Sequence, residues 1–192
     1  MLTALVLALL AGILARLRGG SVNELAETTF SWTPLLVAGL VLQIGFIYWD
    51  PPWLGEGGGL AVLLVSNASV AAWLFANRTL PGLMLAAAGM ALNVVVIASN
   101  GAMPVLERSA VAAGVARSLE DTGLKHELLD EDTVLPWLGD AIPVRPFQEV
   151  LSVGDVVLAL GLARLVDARM MSHKKPRHSV DAAEEAPRSA SG

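Results

Sequence analysis

The chain contains no cysteine and few charged residues, and both shortages exclude classes of protein. The lack of cysteine excludes disulfides, thiolate metal sites and cysteine nucleophiles. Only 16% of the 192 residues are charged while 54% are hydrophobic, whereas an ordinary soluble domain is about a quarter charged. The net charge is −5 and the mean hydropathy is +0.59. These values argue against a disordered chain or a nucleic-acid binder and indicate a membrane protein.

Catalytic and cofactor motifs are also missing. The sequence has no G-x-S-x-G, P-loop or dinucleotide-binding fingerprint, and no internal repeat. His126 has several carboxylates nearby in the sequence, but their spacing is not that of a metalloprotease or an EF-hand. We therefore assign no metal or cofactor site and favour a non-enzymatic role.

Five apolar stretches approach the length of about 20 residues that a helix needs to cross a bilayer. The first is expected to be a retained helix, because Arg16 and Arg18 follow it and no basic residue precedes it, unlike in a signal peptide. The fifth is the weakest, since it carries Asp155 and Arg164. The chief alternative therefore has four spans, with the last stretch lying on the membrane. The predicted spans are Leu2–Ala15, Trp32–Trp49, Leu60–Phe75, Leu80–Ser99 and Ser152–Ala168.

These spans predict an all-α, polytopic membrane bundle, and the basic residues between them predict its orientation. Cytoplasmic loops carry an excess of lysine and arginine. With the N-terminus outside and the C-terminus inside, seven basic residues near the membrane lie inside and four outside. The inner ones are Arg16, Arg18, Arg78, Arg169, Lys174, Lys175 and Arg177, and the outer ones are Arg108, Arg117, Lys125 and Arg145.

Two polar segments accompany the predicted bundle, which takes in residues 1–171. The long outer loop, 101–149, has four basic and nine acidic residues, so its charge of −5 equals that of the whole chain. A loop of this length usually has its own fold, as an acidic cap, or acts as a gate or ligand lid. The tail, 172–192, is rich in alanine, serine, glutamate and proline, and we expect it to be disordered and cytoplasmic.

Several polar residues fall within the predicted spans: Gln43, Ser66, Asn67, Ser69 and Asn93. Such groups either form hydrogen bonds between helices or line a ligand pathway, and we keep Asn67 and Asn93 as candidates for the second role. Small residues in the last two spans suit close helix packing, within the chain or in a homo-oligomer. They are Gly82, Ala86, Gly89, Gly154, Gly161 and Ala168.

Asp155 has two interpretations. Ser152-Val-Gly-Asp155 has the pattern of a capping box, in which the serine caps the helix and the acid lies at its third position. Asp155 is then a structural residue near the outer interface, although it is also a candidate site residue. Arg164 lies nine residues further on and should not pair with Asp155. It can instead extend towards the inner interface or meet Asp167.

Four strings of residues resemble a family of small bacterial membrane proteins, largely actinobacterial, known only as a domain of unknown function. The resemblance spans the first to the fifth helix and implies a membrane location, without implying an activity, substrate or cofactor. The strings are Asn100-Gly-Ala-Met-Pro104-Val, Lys125-His-Glu-Leu-Leu-Asp-Glu-Asp-Thr133, Leu138-Gly-Asp140-Ala-Ile-Pro143 and Ser152-Val-Gly-Asp155.

Three residues of these strings, Asn100, Asp140 and Asp155, all fall on the outer side. If the loop folds back, they meet in a polar pocket at the outer mouth that could bind a cation or an amine. Otherwise they cap helices and tie down the loop. The first functional hypothesis is a multi-pass protein of the bacterial cytoplasmic membrane with a binding or complex-supporting role. Its partners would be the lipid bilayer and a second copy or another membrane protein, not nucleic acid. The alternatives are a small transporter or lipid flippase, and a membrane enzyme that uses Asp140 and Asp155 as an acid–base pair.

Overall fold

The computed structural model describes residues 2–48, 55–115 and 126–172 and is mostly helical. Five longer helices appear where the sequence predicts apolar spans, and their ends differ from the predicted ones by a few residues. The tail that was predicted to be disordered lies outside the described residues from residue 173 onward. The five helices are α1 (Leu2–Leu17), α3 (Thr33–Tyr48), α4 (Gly55–Ala76), α5 (Leu83–Asn100) and α7 (Val153–Met170), and a short α2 (Val22–Ala26) follows α1.

Two of these helices pass a length and composition test for crossing a membrane. Among the described residues they are Gly57–Ala76 and Leu83–Asn100, while Thr3–Leu17 and Thr33–Gly45 are apolar but shorter. The α7 helix is not among them. Its Asp155, Arg164, Asp167 and Arg169 explain why it was also the weakest stretch in the sequence.

The helices pack in the order α3, α4, α5, α7, α1, so that α1 lies beside α7 and not beside α3. The α1 and α7 helices run in the same direction. Thr3 at the start of α1 bonds Glu149 just before α7, and Ser21 after α1 donates its N–H to the carbonyl of Met170 at 2.8 Å. We name the two ends of this row of helices by the segments found there. The loop end contains the end of α5 and the start of α7, and the turn end contains the 77–82 turn and the end of α7.

The loop at the loop end contradicts the expectation of an all-α fold. Strand β1 (Met103–Val105) pairs in parallel with β2 (His126–Leu128), and β3 (Ile142–Val144) pairs antiparallel with β4 (Glu149–Leu151). A short helix, α6 (Glu107–Ala113), lies between β1 and β2 and ends at Gly114, whose φ of +82° suits glycine. Because Pro104 and Pro143 lack an N–H and favour extended backbone, these segments form short strands and not helices.

Apolar side chains bury at both ends of α5. One cluster joins α4, α5 and α7 towards the turn end and includes Trp73, Leu74, Leu83 and Leu158. A second cluster places Leu138, from a 3-10 helix of the loop, against Val96 and Ile97 near the end of α5. The second cluster fixes the loop onto the helices, and the polar residues of the candidate site lie around it.

Candidate functional site at the loop end

A closed set of hydrogen bonds joins α5 to the start of α7. Asn93 Nδ2 donates to Asp155 Oδ1 at 2.8 Å, and the hydroxyl of Ser152 donates to Asn93 Oδ1 at 2.9 Å. The N–H of Asp155 donates to Ser152 Oγ at 2.9 Å, and the N–H of Ser152 donates to Asp155 Oδ2 at 3.1 Å. The predicted capping box is therefore confirmed. Asn93 extends it to the neighbouring helix, which the sequence analysis did not foresee.

This set of bonds depends on a close approach between two glycines. A Cβ on Gly89 would lie 2.4 Å from the carbonyl oxygen of Gly154, and a Cβ on Gly154 would lie 1.9 Å from Asn93 Oδ1. Further along the same contact, a Cβ on Gly82 would lie 2.2 Å from the carbonyl oxygen of Gly161. The prediction that small residues allow close packing is confirmed for these glycines. The contact lies within one chain, between α5 and α7.

Asp140 is buried beneath the loop, with 5% of its surface exposed. Its N–H donates to the carbonyl of Pro104 at 2.8 Å and its carbonyl accepts from the N–H of Leu106 at 2.9 Å, so its backbone extends the β1 pairing. Burial, and secondly the negative charge of Asp155, raise the pKa of Asp140 from 3.8 to about 8, although the N-terminal amino group acts in the opposite direction. The structure therefore brings Asp140 into electrostatic range of Asp155, as predicted for two of the three candidates.

Asn100 has a different environment from the two aspartates. Its Nδ2 donates to the carbonyl of Val134 at 3.0 Å, and its Oδ1 accepts from the N–H of Val134 at 2.7 Å. It also donates to the carbonyl of Val96 within its own helix. These bonds tie the loop to the end of α5, which is the structural alternative considered for this residue, and they reach neither Asp140 nor Asp155.

Asn100 also lines a polar pocket of about 240 Å³ at the loop end. Its acidic members are Glu127, Asp130 and Asp132, and the carboxylate of Asp130 accepts from Thr133 Oγ1 at 2.8 Å. The acidic lining comes from the 127–133 segment, and neither Asp140 nor Asp155 is part of it. The sequence contained this signal, since these residues belong to one of the strings noted above, whereas the predicted carboxylates of the polar pocket were Asp140 and Asp155. Within the described residues, no three histidine, aspartate or glutamate side chains are grouped to hold a metal ion.

Asn67, the second intramembrane candidate, bonds between helices. It is buried in α4, accepts from Gln43 of α3 at 3.3 Å and donates to the carbonyl of Leu63 at 2.8 Å. Together with the bonds of Asn93, this arrangement accounts for both polar side chains as helix–helix contacts. It therefore favours the hydrogen-bonding interpretation over a ligand pathway.

Two contacts of α1 were missed by the sequence analysis. Thr3 donates its N–H and its hydroxyl to Glu149, at 2.9 and 2.6 Å, which attaches the start of α1 to β4. At the turn end Asp167 forms an ion pair with Arg18, so the expected alternative of a pair with Arg164 is wrong. Thr3 is polar within an otherwise apolar stretch, which was the only available signal for the first contact.

Comparison with known proteins gives a family and no activity. No curated protein and no solved structure matches the chain. One family model, described as a family of unknown function, DUF5317, matches residues 27–166. The match contains α3, α4, α5, the loop and most of α7, together with every candidate site residue, but it begins after α1. Since it covers more than half of the sequence, the chain belongs to the DUF5317 family.

Proposed function

We propose that this chain is a multi-pass protein of the bacterial cytoplasmic membrane, with five spans, its N-terminus outside and its C-terminus inside. The observation that carries the proposal is the exposure of large apolar side chains midway along helices that pack side by side. The exposed fractions run from 49% to 64% for one residue of each longer helix, namely Leu9, Val41, Val65, Val95 and Leu160. A soluble protein seldom exposes contiguous apolar surface of this extent, whereas lipid chains match it.

Polar contacts at the two ends support the same proposal. The ion pair of Arg18 with Asp167 and the bond from Arg169 to Thr28, at 2.9 Å, lie at the turn end. The acidic pocket and Asp140 lie at the loop end. Basic residues gather at the turn end, as expected for a cytoplasmic side. In this arrangement the charges of α7 lie in its first turn and its last two turns, so the helix spans despite them.

The orientation can be tested by labelling single cysteines, since the chain has none of its own. Ala112 in α6 and Thr79 in the turn are both exposed, and they lie at opposite ends of the helices. In intact cells, a membrane-impermeant maleimide should label an Ala112→Cys variant and should label Thr79→Cys only after permeabilisation. The reverse pattern would contradict the orientation. Extraction of the protein by alkaline carbonate would contradict the membrane location.

We further propose that the role is non-enzymatic, and that the acidic pocket beside Asn100 binds a small cation or amine from the outer side. The proposal is supported by the three acidic residues that line the pocket, because their negative charge attracts a cation. Spermidine should raise the melting temperature of the wild type in detergent. The rise should disappear in a Glu127→Gln, Asp132→Asn double variant and persist in Glu107→Gln, which changes an exposed acid outside the pocket. A rise that is equal in all three proteins would refute the pocket.

A further inference from the structure

Arg164 is an exposed arginine in the second half of α7. Within residues 2–48, 55–115 and 126–172 its guanidinium makes no hydrogen bond or ion pair, and the side chain is exposed. Other arginines at the turn end are engaged. Arg18 pairs with Asp167, Arg169 donates to Thr28, and Arg78 lies 4.5 Å from the ring of Phe75. Arg164 therefore differs from these three arginines, since the described residues supply no partner for its guanidinium.

The position of Arg164 along α7 sets the depth at which a counter-charge must lie. It precedes Met170, the last residue of the helix, by six residues, or about 9 Å of helix length. Its Cβ is also fixed against the start of α5, since a Cβ on Gly82 would lie 2.9 Å from it. From this depth an extended arginine side chain reaches the headgroup region of the inner leaflet, whereas bulk solvent lies further away.

The same face of α7 is apolar above Arg164. Leu160 lies four residues before it, a spacing that places both side chains on one side of the helix, with Leu160 about 6 Å nearer the bilayer centre. Leu160 is 54% exposed. An exposed apolar side chain with a cation on its inner side has the chemical order of a phospholipid, with acyl chain and then phosphate.

We propose that this face of α7, formed by Leu160 and Arg164, binds an anionic phospholipid of the inner leaflet. The Arg164 guanidinium donates to the phosphate, which suits its planar pair of donors, and Leu160 contacts an acyl chain. Charge complementarity selects an anionic lipid, because the exposed Arg16 and Arg78 at the same end add to the positive potential. The proposal rests on the membrane topology proposed above.

Native mass spectrometry of the full chain can test this, with phosphatidylglycerol titrated against phosphatidylcholine in detergent. The wild type should prefer phosphatidylglycerol. An Arg164→Gln variant should bind it about fivefold more weakly, the factor expected when one near-surface cation contributes about 1 kcal/mol. Arg108→Gln removes the same charge from an exposed residue at the loop end and should bind phosphatidylglycerol like the wild type.

Equal binding by wild type and Arg164→Gln would overturn the proposal, as would an equal loss in Arg108→Gln. Full competition by millimolar inorganic phosphate would also overturn it, since the site would then bind a free anion and not a lipid. If Arg164→Gln cannot be purified, Arg164→Lys serves instead, because it keeps the charge but not the paired donors. It should bind phosphatidylglycerol more weakly than the wild type does, but by less than fivefold. Carbonate extraction of the wild type would instead refute the membrane topology, so the two failures are distinguishable.

Discussion

Replacing Asp140 with asparagine should stabilise the protein, and the gain should grow as pH rises. The carboxyl of Asp140 is 5% exposed and lies within electrostatic range of Asp155. In the wild type, ionising it in the folded state requires loss of its hydration and repulsion by a second carboxylate. An asparagine keeps the shape of the protonated acid and carries no charge, so it removes this cost.

The size and sign of the effect follow from the pKa of Asp140, which rises from 3.8 to about 8 on folding. Below pH 4 the acid is protonated in both states and costs nothing. Between pH 4 and pH 8 the unfolded chain releases the proton while the folded chain keeps it, so stability falls as pH rises. Since one pKa unit corresponds to about 1.4 kcal/mol, the full cost above pH 8 is on the order of 6 kcal/mol.

Thermal unfolding in detergent from pH 5 to pH 9 measures this effect. The wild type should lose stability across the range, and Asp140→Asn should be modestly more stable than the wild type at pH 5 and much more stable at pH 9. Glu131→Gln is the matched control, because Glu131 is an exposed acid of the same loop. Glu131→Gln should follow the wild type at every pH. A melting temperature difference between wild type and Asp140→Asn that does not change with pH would refute the reasoning, as would an equal, pH-dependent gain in Glu131→Gln.

Two further predictions concern the contacts that hold the site. Gly154→Ala places a Cβ 1.9 Å from Asn93 Oδ1 and should lower the free energy of unfolding by about 1–3 kcal/mol. Gly45→Ala, whose Cβ would have nothing within 4 Å, should leave that free energy unchanged or raise it. Equal effects of the two substitutions would contradict the close contact. Asn100→Ala removes both hydrogen bonds to Val134 and should speed amide hydrogen exchange across residues 126–134, while the helices keep their protection. Unchanged exchange in residues 126–134 would show that Asn100 does not hold the loop.

The helices and one helix start could be predicted because their signals are local. Long, largely apolar stretches favour helix, and the chain forms α1, α3, α4, α5 and α7, of 16 to 22 residues each, in those places. The start of α7 was also local, since a serine followed by an acid three residues later satisfies the first N–H groups of a helix. The glycines of α5 and α7 predicted a close contact, although not which two helices would form it.

The arrangement of the loop could not be predicted, because it depends on contacts between distant residues. Nothing in the sequence places Pro104 opposite Glu127 in a parallel pair, yet that pairing brings the acidic segment to Asn100. The same pairing separates the acidic pocket from Asp140, which bonds to the other side of β1. The expected group of Asn100, Asp140 and Asp155 therefore divides. Asn100 is tied to the loop and lines the pocket, whereas the buried Asp140 lies in electrostatic range of the half-buried Asp155.

The position of α1 bears on which contacts form the candidate site. The family match begins at residue 27, so α1 lies outside it, and α1 is also the last member of the row, beside α7. In α1, Thr3 bonds to Glu149, and just after the helix Arg18 pairs with Asp167. Glu149 and Asp167 flank the site but are not part of it. The bonds among Asn93, Ser152 and Asp155 come from α5 and the start of α7 alone. These residues, Asp140 and the acidic pocket all fall within the matched segment, so the contacts that form the candidate site do not need α1.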